Sequence, residues 1–204
     1  MTQAVSHNLS LEDFLSQYGD NSRYELIDGE LIDMEPTGPH EQVAAFISRK
    51  LNAAIDRLDL PYFLPHRCLV RPLASTSAFR PDVIVLDETQ LDREPLWTRE
   101  PVITNGATVK LVVEVVSTNW QNDYARKYED YETLGIPEYW IVDYLGIGGR
   151  RYIGTPKQPT VTIARLVDGE YRSTLLRGGE VITSDAIPEV EVSVDRLFAF
   201  RDRA

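Results

Sequence analysis

Two carboxylates occur at positions where the surrounding residues predict buried strands. Glu114 lies in the middle of residues 110–116, which are otherwise mostly apolar, and Asp82 directly precedes the apolar residues 83–86. Burying an ionised carboxylate without a partner is costly. Glu114 therefore needs a partner, which an internal salt bridge, an edge position or a metal ion could supply. Asp82 on its own is more typical of a turn or a strand start.

Carboxylates at the ends of two neighbouring strands can share one divalent cation. Adjacent strands lie about 4.8 Å apart, and hard cations such as Mg²⁺ prefer oxygen ligands. If the strands that carry Asp82 and Glu114 are neighbours, we expect the two side chains to be able to bind one cation.

A lysine follows on the next predicted element, a helix over residues 121–134. An apolar stripe on this helix is formed by Tyr124, Tyr128 and Tyr131, and such a stripe is more typical of a core than of base stacking. Lys127 lies on the flank of the stripe, from which its ammonium could reach the sheet. The alternative is an exposed i, i+4 pair with Asp123, worth roughly 0.2–0.5 kcal/mol.

The elements that must position these residues can be predicted from local patterns. Ser10 begins a short helix that ends near Gly19. Residues 23–34 predict a hairpin around the turn Asp28-Gly29, and a long amphipathic helix starts at His40 and Glu41 and runs to residue 58. Strands are predicted over residues 62–64, 68–70, 83–86, 110–116 and 139–142.

The remaining segments complete the predicted topology. Strand 110–116, helix 121–134 and strand 139–142 form a crossover unit, which implies a parallel pair with a right-handed connection. Residues 87–106 are rich in Pro and charge and predict a surface excursion. The tail predicts meander strands that extend the sheet, over residues 161–166, 170–176 and 180–183.

Length and charge narrow the class of protein. A chain of 204 residues suits one domain, 1–204, with a core over about 22–145 and a β-rich extension over about 148–204. The net charge of −11 argues against a general nucleic-acid coat protein. A single cysteine, Cys68, no signal sequence and no long apolar run together predict a cytoplasmic protein with no membrane role.

A few basic residues and one glycine-rich segment are further candidates. Arg67, Arg71 and Arg80 cluster around the strand that leads to Asp82 and could contact phosphates, although scattered arginines commonly form surface ion pairs. Residues 146–149 are glycine-rich and predict a loop. The sequence contains neither a phosphate-binding P-loop, a dinucleotide-binding glycine motif nor a zinc-type Cys/His pattern.

Several of these residues together resemble a known family. Pro81-Asp82 followed by Glu114 on a separate strand resembles the Pro-Asp and (Asp/Glu)-x-Lys signature of the PD-(D/E)XK nuclease superfamily. The longer pattern is similar to the Uma-type family of predicted restriction endonucleases. It comprises Tyr24-Glu25-Leu26-Ile27-Asp28-Gly29-Glu30-Leu31, His40, Arg80-Pro81-Asp82, Glu114-Val115-Val116-Ser117, Lys127 and Glu138-Tyr139-Trp140-Ile141-Val142-Asp143.

The resemblance implies a fold and a metal site. The fold is α/β and restriction-endonuclease-like, with a central mixed β-sheet flanked by helices and, in this chain, the β-rich C-terminal extension. The implied Mg²⁺ ligands, with Mn²⁺ as an alternative ion, are Asp82, Glu114 and the backbone carbonyl of Val115. Val116 stands where the signature has Lys, and Lys127 on the next helix is the matching position.

Two further residues match family positions beside the site. They are Glu25, which could instead be a solvated hairpin residue, and His40, which could instead cap the start of its helix. The implied function is a Mg²⁺-dependent endonuclease that hydrolyses phosphodiester bonds of DNA. The alternative is a catalytically inactive scaffold that acts as a binding or assembly module. The exposed edges of the β-rich tail make a homodimer plausible.

Overall fold

The computed structural model describes residues 8–34, 36–73 and 75–199. Residues 1–7, where no signal sequence is predicted, and residues 200–204, the end of the predicted single domain, lie outside the described residues. In chain order the elements are α1 (Leu11–Tyr18), β1 (Tyr24–Ile27), β2 (Glu30–Asp33), α2 (Gly38–Leu58), β3 (Tyr62–Phe63), β4 (Leu69–Val70), β5 (Val83–Asp87), β6 (Val102–Ile103), β7 (Val109–Val115), α3 (Lys127–Leu134), β8 (Glu138–Asp143), α4 (Arg150–Ile153), β9 (Thr160–Val167), β10 (Glu170–Leu176), β11 (Val181–Thr183), β12 (Glu191–Ser193) and α5 (Val194–Phe198).

A six-stranded mixed sheet forms the centre of the molecule. Its strands are ordered β10-β9-β8-β7-β5-β3. Strands β7 and β8 are parallel, whereas the other neighbouring pairs are antiparallel. The structure thus confirms the predicted mixed sheet, the neighbouring strands of Asp82 and Glu114, and the parallel pair around the helical crossover. It also confirms that β9 and β10 extend the sheet.

The central strands are buried on both faces, which explains their continuous apolar runs. Alternate residues of β7 enter opposite clusters: Val113 packs with Ile47 and Leu51 of α2, and Val112 packs with Tyr131 and other residues on the opposite face. The tyrosine stripe therefore contributes to the core, as expected, with Tyr124 and Tyr131 buried and Tyr128 half-buried.

The N-terminal elements form where their residues predict. Ser10 is the N-cap of α1, and its hydroxyl accepts a hydrogen bond from the backbone N–H of Asp13. The β1–β2 turn places Asp28 at φ +50° and Gly29 at φ +83°, as a two-residue type I′ turn requires. The hairpin docks on the rest of the molecule through the bridge between Leu26 and Ala78.

Residues 87–106 are not the pure surface excursion that their composition predicts. The chain returns to the core as β6, whose Val102 and Ile103 are fully buried, and β6 pairs in parallel with β4 in a separate small sheet. Buried Glu94 stabilises this return because its carboxylate accepts hydrogen bonds from the segment 104–108. Prolines and charges mark the turns of this segment. Its strand has only two residues, which is too short to show the alternation of apolar and polar residues that would predict a strand.

Two other predictions need correction. The strand predicted over residues 180–183 does not extend the central sheet, because β11 pairs with β12 in a separate two-stranded sheet. The helix predicted over residues 121–134 is not uniformly α-helical: Asn122–Arg126 form a π-helical turn before α3 begins at Lys127. The helix ends at Gly135, which has φ +81°.

The edge of the sheet formed by β10 is partly covered. Strand β10 is the edge strand, and the backbone N–H of Tyr171 donates a hydrogen bond to the carboxylate of Glu132 on α3. Such a contact removes one donor from the edge. A homodimer through the tail stays a prediction. Within the described residues, no helix combines the length and apolar character needed to cross a bilayer.

Candidate active site

The predicted metal ligands, the lysine and the two supporting residues line one cavity of about 450 Å³. Strands β5 and β7 are antiparallel neighbours, so the start of β5 lies beside the end of β7. Asp82 precedes β5, and Glu114 and Val115 end β7. The site therefore forms where two adjacent strands bring their ends together, as the sequence predicts.

One hydrogen-bonded group joins Asp82, Val115 and His40. The Asp82 Oδ2 atom accepts the backbone N–H of Val115 at 2.7 Å. The His40 Nε2 atom donates to the Val115 carbonyl at 2.8 Å and lies 3.4 Å from Asp82 Oδ2. His40 is not the helix-start cap considered above, because Thr37 is the N-cap of α2.

The surroundings of His40 act on its pKa in opposite directions. Burial alone lowers the pKa of the imidazole, but the hydrogen bond with Asp82, the charge of Asp82 and the Val115 carbonyl outweigh burial. The pKa of His40 is therefore raised above its ordinary value. Within the described residues its Nδ1 atom is buried without a hydrogen-bond partner.

Lys127 lies at the centre of a second group of charges. Its Nζ atom is 3.2 Å from Glu25 Oε2, 3.2 Å from Glu114 Oε2 and 3.5 Å from Asp123 Oδ1. Only 4% of its side chain is exposed, so the exposed pair with Asp123 is not what the structure shows. Burial lowers the pKa of Lys127, but the surrounding carboxylates outweigh it and raise the pKa well above its ordinary value.

Both oxygens of the Glu114 carboxylate contact protein donors. Oε1 accepts a hydrogen bond from the Tyr131 hydroxyl at 2.9 Å, and Oε2 contacts Lys127. Burial raises the pKa of Glu114 well above its ordinary value, and Lys127 offsets this only in part. Burial likewise raises the pKa of Asp123 to about 7. Four acidic side chains therefore surround Lys127, and burial favours the protonated form of two of them.

Sequence reasoning missed two partners of the predicted residues. Asp123 was considered only as an exposed partner of Lys127, and Tyr131 only as a core residue. Asp123 and Lys127 are four residues apart and so lie on the same side of the helix, and both line the cavity. The acid four residues before Lys127 was the available signal. Glu25 is also buried, rather than the solvated hairpin residue considered above.

The three predicted phosphate-contacting arginines have different surroundings. Arg67 lines the cavity, is exposed and donates to the Asp20 carbonyl. Arg80 also lines it, but its buried guanidinium donates to the carbonyls of Tyr24 and Gly19, which ties it to the hairpin and to the end of α1. Arg71 is exposed and does not line this cavity. Phosphate contact stays a prediction for all three arginines, and the hydrogen bonds of Arg80 also give it a structural role.

The donor set fits a hard divalent cation. Asp82, Glu114 and the Val115 carbonyl offer oxygen atoms, the ligand type that Mg²⁺ and Mn²⁺ favour. A divalent cation would also favour the ionised form of the acids that contact it. Among the described residues no three His, Cys, Asp or Glu side chains are arranged to hold a metal by themselves. A cation here therefore needs the carbonyl and further water or substrate oxygens.

Comparison with known proteins places this chain in a family. The Uma2 family model, described as "Putative restriction endonuclease", matches residues 11–195. The chain belongs to the Uma2 family. Four chains of solved structures match this Uma2 protein, among them a protein from Anabaena variabilis ATCC 29413 described as "a putative nuclease belonging to DUF820". It shares 17% sequence identity and a TM-score of 0.68, over 94% of this chain and 98% of that chain.

At that level of identity the structural likeness concerns the fold. The Uma2 protein has the restriction-endonuclease-like architecture that the resemblance implies, with a mixed sheet flanked by helices. No curated protein matches the sequence.

Proposed function

We propose that this Uma2 protein is a divalent-metal-dependent endonuclease that hydrolyses phosphodiester bonds of DNA. The observation that carries the proposal is the convergence of Asp82, Glu114, the Val115 carbonyl and Lys127 on one cavity. These residues come from three separate segments of the chain, since Asp82 precedes β5, Glu114 and Val115 end β7, and Lys127 begins α3. The descriptions of the family and of its structural neighbour as nucleases support the same reaction class.

The oxygen donors would hold the cation. Asp82, Glu114 and the Val115 carbonyl are the proposed ligands for Mg²⁺, with Mn²⁺ as an alternative. When bound, such a cation polarises a phosphoryl oxygen and lowers the pKa of bound water.

The chain's own residues position the charges of the reaction. Glu25, Glu114 and Asp123 keep Lys127 protonated, since they raise its pKa. Its ammonium then supplies a fixed positive charge that can stabilise negative charge developing on the phosphate. His40 holds the Val115 carbonyl and lies beside Asp82, so it fixes the orientation of two proposed ligands.

A second candidate function is a nuclease-like scaffold that binds without cutting. One observation favours it: both oxygens of Glu114 already contact protein donors, Tyr131 and Lys127. A carboxylate satisfied in this way needs no cation for folding. Binding a cation would therefore have to compete with these internal contacts.

Cleavage assays distinguish the two functions. Supercoiled plasmid and single-stranded DNA are incubated with Mg²⁺ or Mn²⁺ and with wild type, Glu114→Gln or Glu88→Gln, a matched change at an exposed glutamate. We expect metal-dependent cleavage by the wild type and Glu88→Gln, and loss of cleavage in Glu114→Gln. Cleavage that survives in Glu114→Gln would contradict the assigned site, and a wild type inactive on both substrates favours the scaffold.

A further inference from the structure

A second, smaller cavity of about 180 Å³ adjoins the cavity of the candidate active site. The two cavities share His40, Ser117 and Asn119 among their lining residues. Arg67 and its neighbours line only the first cavity, whereas Leu145 and Ile147 line only the second. The two together form one groove that leads from Arg67, past the acids, to Ile147.

The lining of the second cavity suits a different ligand group from that of the first. Several carboxylates surround Lys127 in the first cavity. Among the described residues that line the second cavity, Asp33 is the one carboxylate, and it forms a bidentate ion pair with Arg23. The hydroxyls of Thr37, Ser117 and Thr118 and the amide of Asn119 supply neutral polar groups. This end of the groove therefore does not repel an anion as the first does.

Two exposed arginines follow the far end of the groove. Arg150 and Arg151 open α4, directly after the loop 146–149 that carries Ile147, and both are exposed. In the described part of the chain, neither side chain has an ion pair or a hydrogen bond. Adjacent free cations are notable in a protein of net charge −11, because most of its other cations contact a carboxylate, a carbonyl or an aromatic ring.

The glycine-rich loop fixes the position of the backbone that precedes these arginines. The backbone N–H groups of Ile147 and Gly148 donate to the Asp143 carboxylate at the end of β8. Gly149 packs against Trp120, since a Cβ atom at Gly149 would lie 2.8 Å from the indole ring. Trp120 in turn follows Asn119, which lines both cavities. The glycines thus allow a close approach that anchors the backbone before Arg150 and Arg151.

We propose that the second cavity, together with Arg150 and Arg151, which begin α4 three residues after the cavity-lining Ile147, binds the sugar-phosphate backbone of a single nucleic-acid strand that continues beyond the candidate active site. The charge of the two arginines complements phosphate, and the neutral polar lining complements sugar and phosphate oxygens. A duplex is wider than its own major groove of about 12 Å, so a cavity of only about 180 Å³ is too small to admit it. This inference rests on the proposed function, since it extends the substrate path of the same site.

The test measures binding of a short fluorescein-labelled single strand by fluorescence anisotropy, in EDTA so that no metal-dependent cleavage occurs. Wild type is compared with the double variant Arg150→Gln/Arg151→Gln. The control is Arg93→Gln/Arg99→Gln, which removes the same charge at two exposed arginines away from both cavities. Each protein is titrated over a series of salt concentrations, with a duplex of the same sequence as a second probe.

We expect the double variant at Arg150 and Arg151 to bind the single strand at least about tenfold more weakly at low salt. Each lost phosphate contact makes the dependence of log K on log[salt] shallower by about 0.7 for single strands, so we expect a change of about 1.4. The control variant keeps the wild-type slope. Equal slopes for wild type and the double variant, or the same loss in the control, would overturn the proposal. If the double variant lost as much affinity and salt dependence for the duplex as for the single strand, the proposal of a single strand would be wrong.

A small substrate separates this proposal from the proposed function. Bis-p-nitrophenyl phosphate carries a diester but no strand that could reach Arg150 and Arg151. We expect the double variant to hydrolyse it with Mn²⁺ at the wild-type rate. A wild type that hydrolyses neither this diester nor DNA contradicts the proposed function, and the anisotropy result still decides whether the groove binds a single strand.

Discussion

Glu114 and Lys127 form a buried contact of 3.2 Å between Oε2 and Nζ, although one lies on β7 and the other begins α3. The contact joins the sheet to the crossover helix inside the candidate active site. It belongs to a cluster in which Glu25 and Asp123 also approach Nζ. The cluster therefore holds α3 against β7, and it is also the proposed source of positive charge for the reaction.

Replacing Lys127 by methionine should destabilise the protein strongly at neutral pH. Removing one partner of a buried ion pair typically costs about 3–5 kcal/mol, because the remaining charges stay buried without compensation. The cost should be smaller at low pH, since burial raises the pKa values of Glu114 and Asp123 and both then take up protons readily. Urea unfolding of Lys127→Met at acid and neutral pH measures both effects.

The matched control for this change is Lys50→Met, which removes an exposed lysine of α2. We expect it to unfold much like the wild type at either pH. Unfolding of Lys127→Met at wild-type urea concentrations would show that the cluster contributes nothing to stability. Loss of DNA cleavage in a Lys127→Met protein that remains folded would support its proposed role in the reaction.

Asp123→Asn should reduce the loss of stability that the folded protein shows as the pH rises. Burial raises the pKa of Asp123 from an ordinary 3.8 to about 7 in the folded state, so the folded state binds this proton more tightly than the unfolded state. The associated stability is fully present below about pH 4 and is lost as the pH rises through about 7. Asparagine imitates the protonated side chain at every pH.

Urea unfolding in EDTA at about pH 5 and pH 8 checks this expectation. The wild type should lose stability between the two values, and Asp123→Asn should lose less. Some dependence should remain, because the pKa of Glu114 is raised in the same direction. Asp56→Asn on the exposed surface of α2 is the control. A variant that loses as much stability as the wild type would show that Asp123 is ionised throughout this range.

Asp82→Asn should abolish stabilisation by divalent cations. If Asp82 is a ligand, Mg²⁺ or Mn²⁺ raises the melting temperature of the wild type, since a ligand that binds only the folded state adds about 2.7 kcal/mol at a hundred times its Kd. Asn keeps the size of the side chain but loses the charge. Thermal melting with and without each cation measures the shift.

Asp92→Asn provides the matched control, because Asp92 is exposed and lies outside the cavity. It should keep the full cation shift. A shift that is equal in Asp82→Asn and in the wild type would place the cation elsewhere. No shift in the wild type would favour the scaffold.

The sequence predicted the convergence of Asp82 and Glu114 better than it predicted the parts of the fold that surround them. Asp82 and Glu114 could be identified because carboxylates within apolar runs need compensation, and that argument is local. The partner of Glu114 was harder to identify, because helical spacing leaves open whether Lys127 reaches the sheet or pairs with Asp123 at the surface. The π-helical turn over Asn122–Arg126 is likewise not distinguished from an α-helix by the residue pattern.

Segments whose structure depends on distant partners could not be predicted locally. Strand β6 has only two residues and forms because β4 offers it a parallel partner. Glu94 has the residue type of a surface position, yet the donors of segment 104–108 make its burial favourable. In both cases the stabilising contacts form only after the chain folds back on itself.

Gly106→Ala should destabilise the protein through the helix that carries Lys127. A Cβ atom at residue 106 would lie 2.1 Å from the carbonyl oxygen of Leu134, the last residue of α3, so backbone must move to accept it. Overpacking of this kind costs about 1–3 kcal/mol. Gly38→Ala, in the first turn of α2, meets nothing within 4 Å and should leave stability unchanged or raise it by up to about 1 kcal/mol.

Thermal and urea unfolding of the two variants compare the same chemical change at a crowded and an open position. Equal stability of the two would mean that the end of α3 can shift without cost. The position of α3, and with it the contact between Lys127 and Glu114, would then be less rigid than the packing of Gly106 against Leu134 implies.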